Sequence, residues 1–135
     1  MQNNDHKILY VEDDELTLTL FSMILQEVCT KLFIAKNGQD AYTYYCQNNP
    51  DIVITDLGMP KVNGMEFIKN IRKINQHTPI IVISGFSDEE KRLQAQHLGV
   101  CDYIVKPVSR ERLKQSLQKV YMHMQNKSTA YKDTV

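Results

Sequence analysis

The sequence predicts a single α/β domain in which five parallel strands form a doubly wound sheet with helices on both faces. Five short apolar runs rich in β-branched residues recur along the chain, and each is followed by a longer segment with helical spacing of its apolar residues. Strict alternation of strands and helices is typical of a parallel sheet that is covered by helices. We expect the strand order 2-1-3-4-5, which places the first and third strands side by side.

The predicted strands lack polar alternation, as expected for strands that are buried on both faces. They span residues 8–11, 32–34, 52–55, 80–83 and 103–105. Each run is three or four residues long by this count, which is short enough to distinguish it from a buried helix.

Each predicted helix except the fourth has an apolar stripe that we expect to face the sheet. The stripes are Leu16, Leu20, Met23 and Ile24; Tyr42 and Tyr45; Phe67, Ile68, Ile71 and Ile74; and Leu113, Leu117, Val120 and Met124. The fourth helix, within residues 87–98, has few apolar residues. We therefore expect it to pack least firmly and to be the mobile element.

Capping residues support these boundaries. Asp14 and Ser109 are good N-caps for the first and last helices, and Gly99 is placed to end the fourth. From Asn126 the chain is polar and loses its periodicity. We therefore predict a domain over residues 1–125, followed by a polar tail or the start of a linker over 126–135.

Composition favours an ordinary soluble globule. The 135 residues include 16 basic and 16 acidic side chains, so no net field attracts nucleic acid or an anionic membrane. Three dispersed cysteines lack metal-ligand spacing, which indicates reduced thiols used in packing. The sequence has no signal peptide and no apolar run of bilayer length. We expect a cytoplasmic domain that binds neither nucleic acid nor membrane directly.

Polar residues of distinct chemistry follow four of the five strands, at the sheet edge where doubly wound folds bind ligands. Glu12 and Asp13 follow the first strand, Asp56 the third, Ser84 the fourth and Lys106 the fifth. The first and third strands should lie roughly 5 Å apart, and the fifth roughly 10 Å from the third. The most distant position holds a lysine, whose long side chain can span that gap.

Three carboxylates in one pocket disfavour one another's ionisation, and a divalent cation would remove the conflict. All candidate ligands are oxygen atoms, which favours a hard ion, and Mg²⁺ fits best because it retains open positions. Asp56 could then act as a nucleophile that forms an acyl phosphate. Lys106 would neutralise the transferred group, and the Ser84 hydroxyl would donate a hydrogen bond to it.

These residues occur within motifs that resemble the receiver domain of bacterial two-component response regulators. The motifs, in order, span residues 11–14, 55–60, 63–64, 84–85, 103 and 106–107, and the resemblance covers roughly residues 7 to 125. The resemblance implies a CheY-like, flavodoxin-like fold of order 2-1-3-4-5. It also implies a signalling switch, not a conventional enzyme, although such domains catalyse their own aspartyl phosphorylation and autodephosphorylation.

The resemblance also implies residue roles. Glu12 and Asp13 match the Mg²⁺-holding acidic pair, Asp56 the phosphoacceptor and metal ligand, and Gly58 the position whose backbone carbonyl completes the metal site. Ser84 matches the switch hydroxyl, Tyr103 the aromatic residue that changes rotamer with it, and Lys106 the phosphate-facing lysine. The Lys106–Pro107 bond matches a cis peptide. These roles are expectations carried over from the family.

The implied partners are a histidine kinase or histidine phosphotransfer protein and a downstream target or attached output domain. The resemblance also allows a homodimer that forms on phosphorylation, and the switching surface would comprise the fourth helix, fifth strand and fifth helix.

Three other functions compete with this interpretation. A flavodoxin-like cofactor module would need a small-residue, phosphate-binding loop where this chain has Glu12 and Asp13. A haloacid-dehalogenase-like phosphohydrolase would need a second aspartate at position 58, which is glycine. A non-phosphorylated interaction module of the same fold is the main alternative, although degenerate versions lose the acids or the lysine that this chain retains.

Overall fold

The fold is that of a computed structural model that describes residues 6–59, 61–85 and 88–133, with side chains described through residue 125. Strands and helices alternate along the whole chain. The elements are β1 (Lys7–Val11), α1 (Glu15–Gln26), β2 (Lys31–Ala35), α2 (Gly38–Asn48), β3 (Ile52–Thr55), α3 (Gly64–Ile74), β4 (Ile80–Ser84), α4 (Glu89–His97), β5 (Asp102–Val105) and α5 (Arg110–Asp133).

All strand pairs are parallel, and the sheet order is β2-β1-β3-β4-β5. The predicted fold class is confirmed. The winding reverses between β1 and β3, where Val11 pairs with Thr55, so the residues that follow these two strands emerge next to each other.

The sheet has an apolar core on each face because its central strands are buried on both sides. One face packs against α2, α3 and α4 through residues such as Tyr45, Phe67 and Ile71. The other face packs against α1 and α5 through residues such as Leu25 and Leu117. This double burial is what the unbroken apolar runs predicted.

Helix caps lie where the sequence placed them. The Asp14 carboxylate accepts a hydrogen bond from the Thr17 amide at 2.9 Å, and the Ser109 hydroxyl accepts one from the Arg112 amide at 3.0 Å. Gly99 has a φ of 74°, a left-handed conformation that favours glycine and ends α4.

The buried face of α1 differs from the prediction. Leu16, Leu20 and Met23 are 71%, 56% and 63% exposed, and the buried residues are Leu18, Ser22 and Leu25. The helix has apolar residues on both sides, so spacing alone does not determine which side packs against the sheet. The predicted inward-facing stripe is therefore wrong for these three residues, and Ile24 is half-buried.

Two other helix predictions also differ from the structure. Ile74, at the end of α3, is exposed, although Phe67, Ile68 and Ile71 are buried as expected. The backbone of α5 remains helical to Asp133, through the polar segment in which we expected a tail or linker. No glycine or proline occurs in residues 126–133, so the local sequence does not end the helix. The domain boundary at residue 125 stays a prediction.

Gly64 allows α3 to begin directly beneath the end of β3. A Cβ atom at this position would collide with the backbone carbonyl oxygen of Asp56. The Gly64 amide donates a hydrogen bond to the Leu57 carbonyl at 2.9 Å, which fixes the close approach. The absence of a side chain here therefore sets the path of the backbone at Asp56.

We predict that Gly64→Ala lowers the free energy of unfolding by roughly 1–3 kcal/mol, because backbone atoms must move to admit the methyl group. Alanine is the better helix former, so any loss must come from the collision. Chemical denaturation would measure the change. Gly85→Ala is the matched control because no described residue other than its chain neighbours lies within 4 Å of its added Cβ, and its stability should stay within about 0.5 kcal/mol of the parent protein. Equal stabilities for the Gly64 variant and the parent would contradict the prediction.

Candidate functional site

Three carboxylates meet at the carboxyl end of the sheet. Glu12 and Asp13 follow β1, Asp56 follows β3, and one oxygen atom from each lies within 4.8 Å of the others. Glu12 is 1% exposed and Asp56 is also buried, whereas Asp13 is exposed. The sheet order thus brings together the acids that the sequence analysis singled out, with the pocket open to solvent on the Asp13 side.

The backbone fixes the orientation of the Asp56 carboxylate. Its Oδ1 atom accepts hydrogen bonds from the amides of Leu57 at 2.6 Å and Gly58 at 3.3 Å. The Asp56 amide donates to the Val11 carbonyl at 3.1 Å, and the Thr55 hydroxyl donates to the Asp56 carbonyl at 2.8 Å. The Oδ2 atom, which faces Lys106, accepts a hydrogen bond from its ammonium group.

Glu12 is the most deeply buried acid of the group. Its Oε2 atom accepts a hydrogen bond from the Asp14 amide at 3.1 Å, and its Oε1 atom accepts one from Lys106 at 3.2 Å. Burial raises the pKa of Glu12, and the charge of Asp56 acts in the same direction, although the Asp14 amide and Lys106 oppose them. The raised pKa of Glu12 indicates that the Lys106 ammonium group does not fully offset the burial of Glu12 and the negative charge of Asp56.

Lys106 spans the distance between the fifth strand and the acids. Its Nζ atom lies 3.0 Å from Asp56 Oδ2 and 3.2 Å from Glu12 Oε1. Partial burial alone would lower the pKa of Lys106, but the hydrogen bond and charge of Asp56 and the charge of Glu12 outweigh it, so the pKa lies above its ordinary value. The predicted reach of this side chain is confirmed, and it is a positively charged ammonium at neutral pH.

The backbone beside Lys106 is also constrained. The Lys106 amide donates to the Ser84 carbonyl at 2.7 Å, which joins the ends of β4 and β5. The bond between Lys106 and Pro107 is cis, as the resemblance implied. These contacts position the lysine stem so that its head group points back across β4 toward the acids.

The remaining predicted site residues surround this pocket. Ser84 is the last residue of β4 and is fully buried, and Gly58 is exposed beside Asp56. Tyr103 lies on β5, where it pairs with Val82 of β4, and it is buried among the residues that face α2, α3 and α4. Ser84 and Gly58 thus lie near the carboxyl ends of β4 and β3, whereas Tyr103 is the second residue of β5, and their individual roles stay predictions.

The donor set suits a hard divalent cation. The pocket holds three carboxylates and one ammonium group, which leaves a formal excess of negative charge if all are ionised. Every candidate ligand atom is an oxygen, and the exposed Asp13 leaves room for water molecules in the coordination shell. The residues present therefore fit Mg²⁺, which binds through few protein carboxylates and retains water.

One surface beside the pocket was not anticipated. A cleft of about 410 Å³ is lined by Thr17 and Phe21 of α1 and by Lys106, Pro107 and Val108 of the segment after β5. Leu16, Leu20 and Met23 are exposed on the same helix. The apolar character of both sides of α1 was visible in the sequence, but it did not show which side would remain free.

Sequence comparison identifies the same kind of domain. A profile described as response regulator receiver domain matches residues 8–118. The chemotaxis protein CheY of Thermotoga maritima is 34% identical over 119 residues, which cover 84% of this chain and 96% of that protein. The uncharacterized transcriptional regulatory protein YesN of Bacillus subtilis is 31% identical over 132 residues, which cover 96% of this chain and 36% of that protein.

Solved structures agree with the sequence comparison. A response regulator receiver domain protein from Clostridium thermocellum has a TM-score of 0.82 and 26% identity, with coverage of 90% of this chain and 98% of that chain. The CheX-CheY-BeF₃-Mg complex of Borrelia burgdorferi has a TM-score of 0.82 and 27% identity, with coverage of 87% of this chain and 90% of that chain.

The share of each relative that the chain covers differs widely. The chain spans between 26% and 56% of the length of several transcriptional and response regulators that it matches, and nearly all of the Thermotoga CheY protein. Within the part of the chain that the structure describes, no helix has the length and apolar character needed to span a lipid bilayer.

We predict that Lys106→Met increases the affinity for Mg²⁺ severalfold, because the ammonium group no longer competes for the Glu12 and Asp56 oxygens. Isothermal titration calorimetry with MgCl₂ would measure the affinity. Lys73→Met removes the same charge from an exposed site on α3 and is the matched control, whose affinity should stay close to that of the parent protein. Unchanged or weaker Mg²⁺ binding by the Lys106 variant would show that the lysine and the cation do not share these ligands.

Proposed function

The chain belongs to the response regulator receiver domain family of two-component systems, and on that premise we propose that Asp56 is its phosphoacceptor. The contact that carries this proposal is the 3.0 Å approach of Lys106 to Asp56 Oδ2, next to Glu12 and Asp13. A surface aspartate would not need a half-buried cationic partner that follows a strand two positions away in the sheet. A carboxylate that must accept a phosphoryl group does need a cation nearby, because the phosphorylated product carries two negative charges.

The reaction that fits this pocket is transfer of a phosphoryl group from phosphohistidine. One carboxylate oxygen of Asp56 attacks phosphorus, and the new O–P bond forms as the P–N bond breaks. The bonding electron pair returns to the imidazole nitrogen of the donor, which is thereafter protonated by solvent. The hydrogen bonds from Leu57 and Gly58 to Oδ1 hold the carboxylate in a fixed orientation during the attack.

The other residues of the pocket balance charge. Lys106 is close enough to Asp56 to contact an oxygen of the phosphoryl group, and the Ser84 hydroxyl would donate a hydrogen bond to another. Glu12, Asp13 and Asp56, with the backbone carbonyl of Gly58, would hold Mg²⁺, which when bound supplies positive charge against the phosphoryl oxygens. Asp13, the exposed acid of the group, lies at the opening of the pocket.

Phosphorylation would act as a switch through local displacement. Movement of Ser84 toward the phosphoryl group would vacate space at the end of β4, which would favour the buried position that the Tyr103 ring occupies in this structure. The surface formed by α4, β5 and α5 would change shape as a result. We propose that this surface then acts on a downstream protein or on an output domain.

A histidine-bearing helical domain of a kinase or phosphotransfer protein is the proposed phosphodonor, and α1 is its proposed docking surface. The exposed Leu16, Leu20 and Met23 form an apolar stripe on α1, and the same helix lines the cleft beside Lys106 and Pro107. A helix that packs on this stripe would bring its histidine to the opening of the pocket. Small phosphodonors need no such contact.

The alternative, a non-phosphorylated interaction module of the same fold, would share the sheet and the helices but would not require the acids. The close contacts of Lys106 with Glu12 and Asp56 favour the phosphoacceptor over this alternative. Buried ionisable groups are costly to maintain, so their retention in one pocket supports a chemical role.

We predict that Asp56→Asn folds but takes up no phosphoryl group from acetyl phosphate in the presence of Mg²⁺, because the amide is not a nucleophile. Intact-protein mass spectrometry would detect the 80 Da adduct expected for one phosphoryl group, as set by its chemical composition. Asp40→Asn, at an exposed position of α2, is the matched control and should be phosphorylated like the parent protein. Incorporation into the Asp56 variant would assign the acceptor to another residue.

We predict that Leu20→Asp slows phosphotransfer from a protein donor at least tenfold while leaving phosphorylation by acetyl phosphate unchanged. The charged side chain interrupts the apolar stripe without touching the pocket. The donor would be the histidine kinase that transfers fastest in a panel from the organism that encodes this chain, and transfer would be followed by autoradiography. Leu93→Asp, at an exposed position of α4, is the control. Equal slowing with acetyl phosphate, or no slowing with the kinase, would argue against docking on α1.

A further inference from the structure

The Tyr103 ring is held in a buried position by an arginine on α4. Tyr103 is 8% exposed, and the guanidinium carbon of Arg92 lies 5.1 Å from the centroid of its ring. A guanidinium group over an aromatic face is attracted by the ring quadrupole. The contact joins the edge strand β5 to α4, the helix with the weakest apolar face.

The two ends of α4 are held differently. At its C-terminal end, Arg72 of α3 donates hydrogen bonds to the carbonyls of Leu98 at 2.6 Å and Gly99 at 3.2 Å. The same guanidinium also donates to the Asn75 carbonyl at 3.2 Å, so it ties the end of α3 to the end of α4. This end of α4 is therefore fixed to a helix that packs firmly on the sheet.

The N-terminal half of α4 has less support from the core. Its first turn contains the exposed residues Glu89, Glu90 and Arg92 and the half-buried Lys91. Asp88 is its N-cap. Of the residues in α4, Ala95 is the one that is buried. The contact of Arg92 with Tyr103 therefore fastens the part of the helix that lies closest in sequence to Ser84.

This arrangement couples Ser84 to Arg92 through a short connection. Residues 85–88 link the end of β4 to the start of α4. A displacement of Ser84 would therefore act on the end of α4 that Arg92 fastens to Tyr103, whereas Arg72 holds the other end.

Tyr103 also has space to leave its buried position. It lines a cleft of about 350 Å³ together with Arg92, Gln96 and Val100. An outward rotation of the ring would move it into this cleft and away from the core. The position of the Arg92 guanidinium therefore affects the balance between the buried and the outward ring.

We propose that Arg92 is a positioning residue of the switch, which holds Tyr103 in the buried position and so biases the unphosphorylated domain toward its phosphorylated conformation. The proposal rests on the proposed function of Asp56 as phosphoacceptor. Since a ligand shifts a two-state equilibrium through its preference for one state, a residue that favours the same state raises the affinity for that ligand.

The test is the affinity for beryllofluoride, a phosphoryl mimic, at a fixed saturating concentration of Mg²⁺. We expect Arg92→Ala to bind it about two- to fivefold more weakly than the parent protein, the range that corresponds to a cation–π contact at an exposed site. Arg92→Lys should retain part of the affinity. Lys73→Ala, which removes one charge from exposed α3, should bind like the parent, and ¹⁹F NMR would follow the bound fluoride.

A double-mutant cycle separates the switch from a structural effect. In a Tyr103→Leu background, Arg92→Ala should cause no further weakening, because the ring on which it acts is gone. The affinity for Mg²⁺ alone should be the same in the parent and in Arg92→Ala. A residue that only stabilised α4 would lower the melting temperature without changing the beryllofluoride affinity.

The outcomes distinguish the two proposals. If the parent protein fails to bind beryllofluoride with Mg²⁺, the proposed function of Asp56 is overturned. If the parent binds it and Arg92→Ala binds equally well or more tightly, the role of Arg92 is overturned. The role of Arg92 is also overturned if Arg92→Ala weakens beryllofluoride binding as much in the Tyr103→Leu background as in the parent, because the effect would then not depend on the tyrosine ring.

Discussion

The ammonium group of Lys106 lies between two buried carboxylates, and the geometry of the pocket depends on that contact. Glu12 and Asp56 both contact the same ammonium group, so without a cation their carboxylates would repel each other. Their burial makes this repulsion stronger than it would be in water. The lysine reduces this cost but does not remove it, since the pKa of Glu12 remains raised by its burial. The excess negative charge suits a divalent cation, and the lysine supplies the positive charge that the proposed phosphoryl transfer requires.

The backbone provides the precision that this charge arrangement needs. Parallel pairing of β1 with β3 brings the acids together, and Gly64 lets the start of α3 approach the Asp56 carbonyl. Amides of the segment after β3 fix one oxygen of Asp56, so the other is directed toward the lysine. Rigid strands therefore position the reactive atoms, and loops contribute hydrogen bonds at defined points.

The helices around this rigid centre differ in how firmly they are attached. Most have a buried apolar face, whereas α4 is attached mainly at its C-terminal end through Arg72 and at Tyr103 through Arg92. A helix held in this way can move without disturbing the core. On the opposite side of the sheet, α1 is well packed but exposes a second apolar stripe. The domain thus combines a firmly packed helix next to the pocket with a weakly packed one on the other face, an arrangement that suits the proposed role of receiving a signal on one side and reporting it on another.

The fold class and the residues of the pocket could both be predicted from the amino-acid sequence alone. Unbroken apolar runs require strands that are covered on both faces, and in such a sheet the residues after the strands share one edge, so the sequence predicts that Glu12, Asp56 and Lys106 lie together. Packing in three dimensions selects which side of α1 is buried, because both sides have helical apolar spacing and only contact with the sheet and α5 favours one of them. It also decided the contact between Arg92 and Tyr103. The two residues lie on different elements, and no local pattern encodes a contact that arises from the way in which a helix and a strand are packed together.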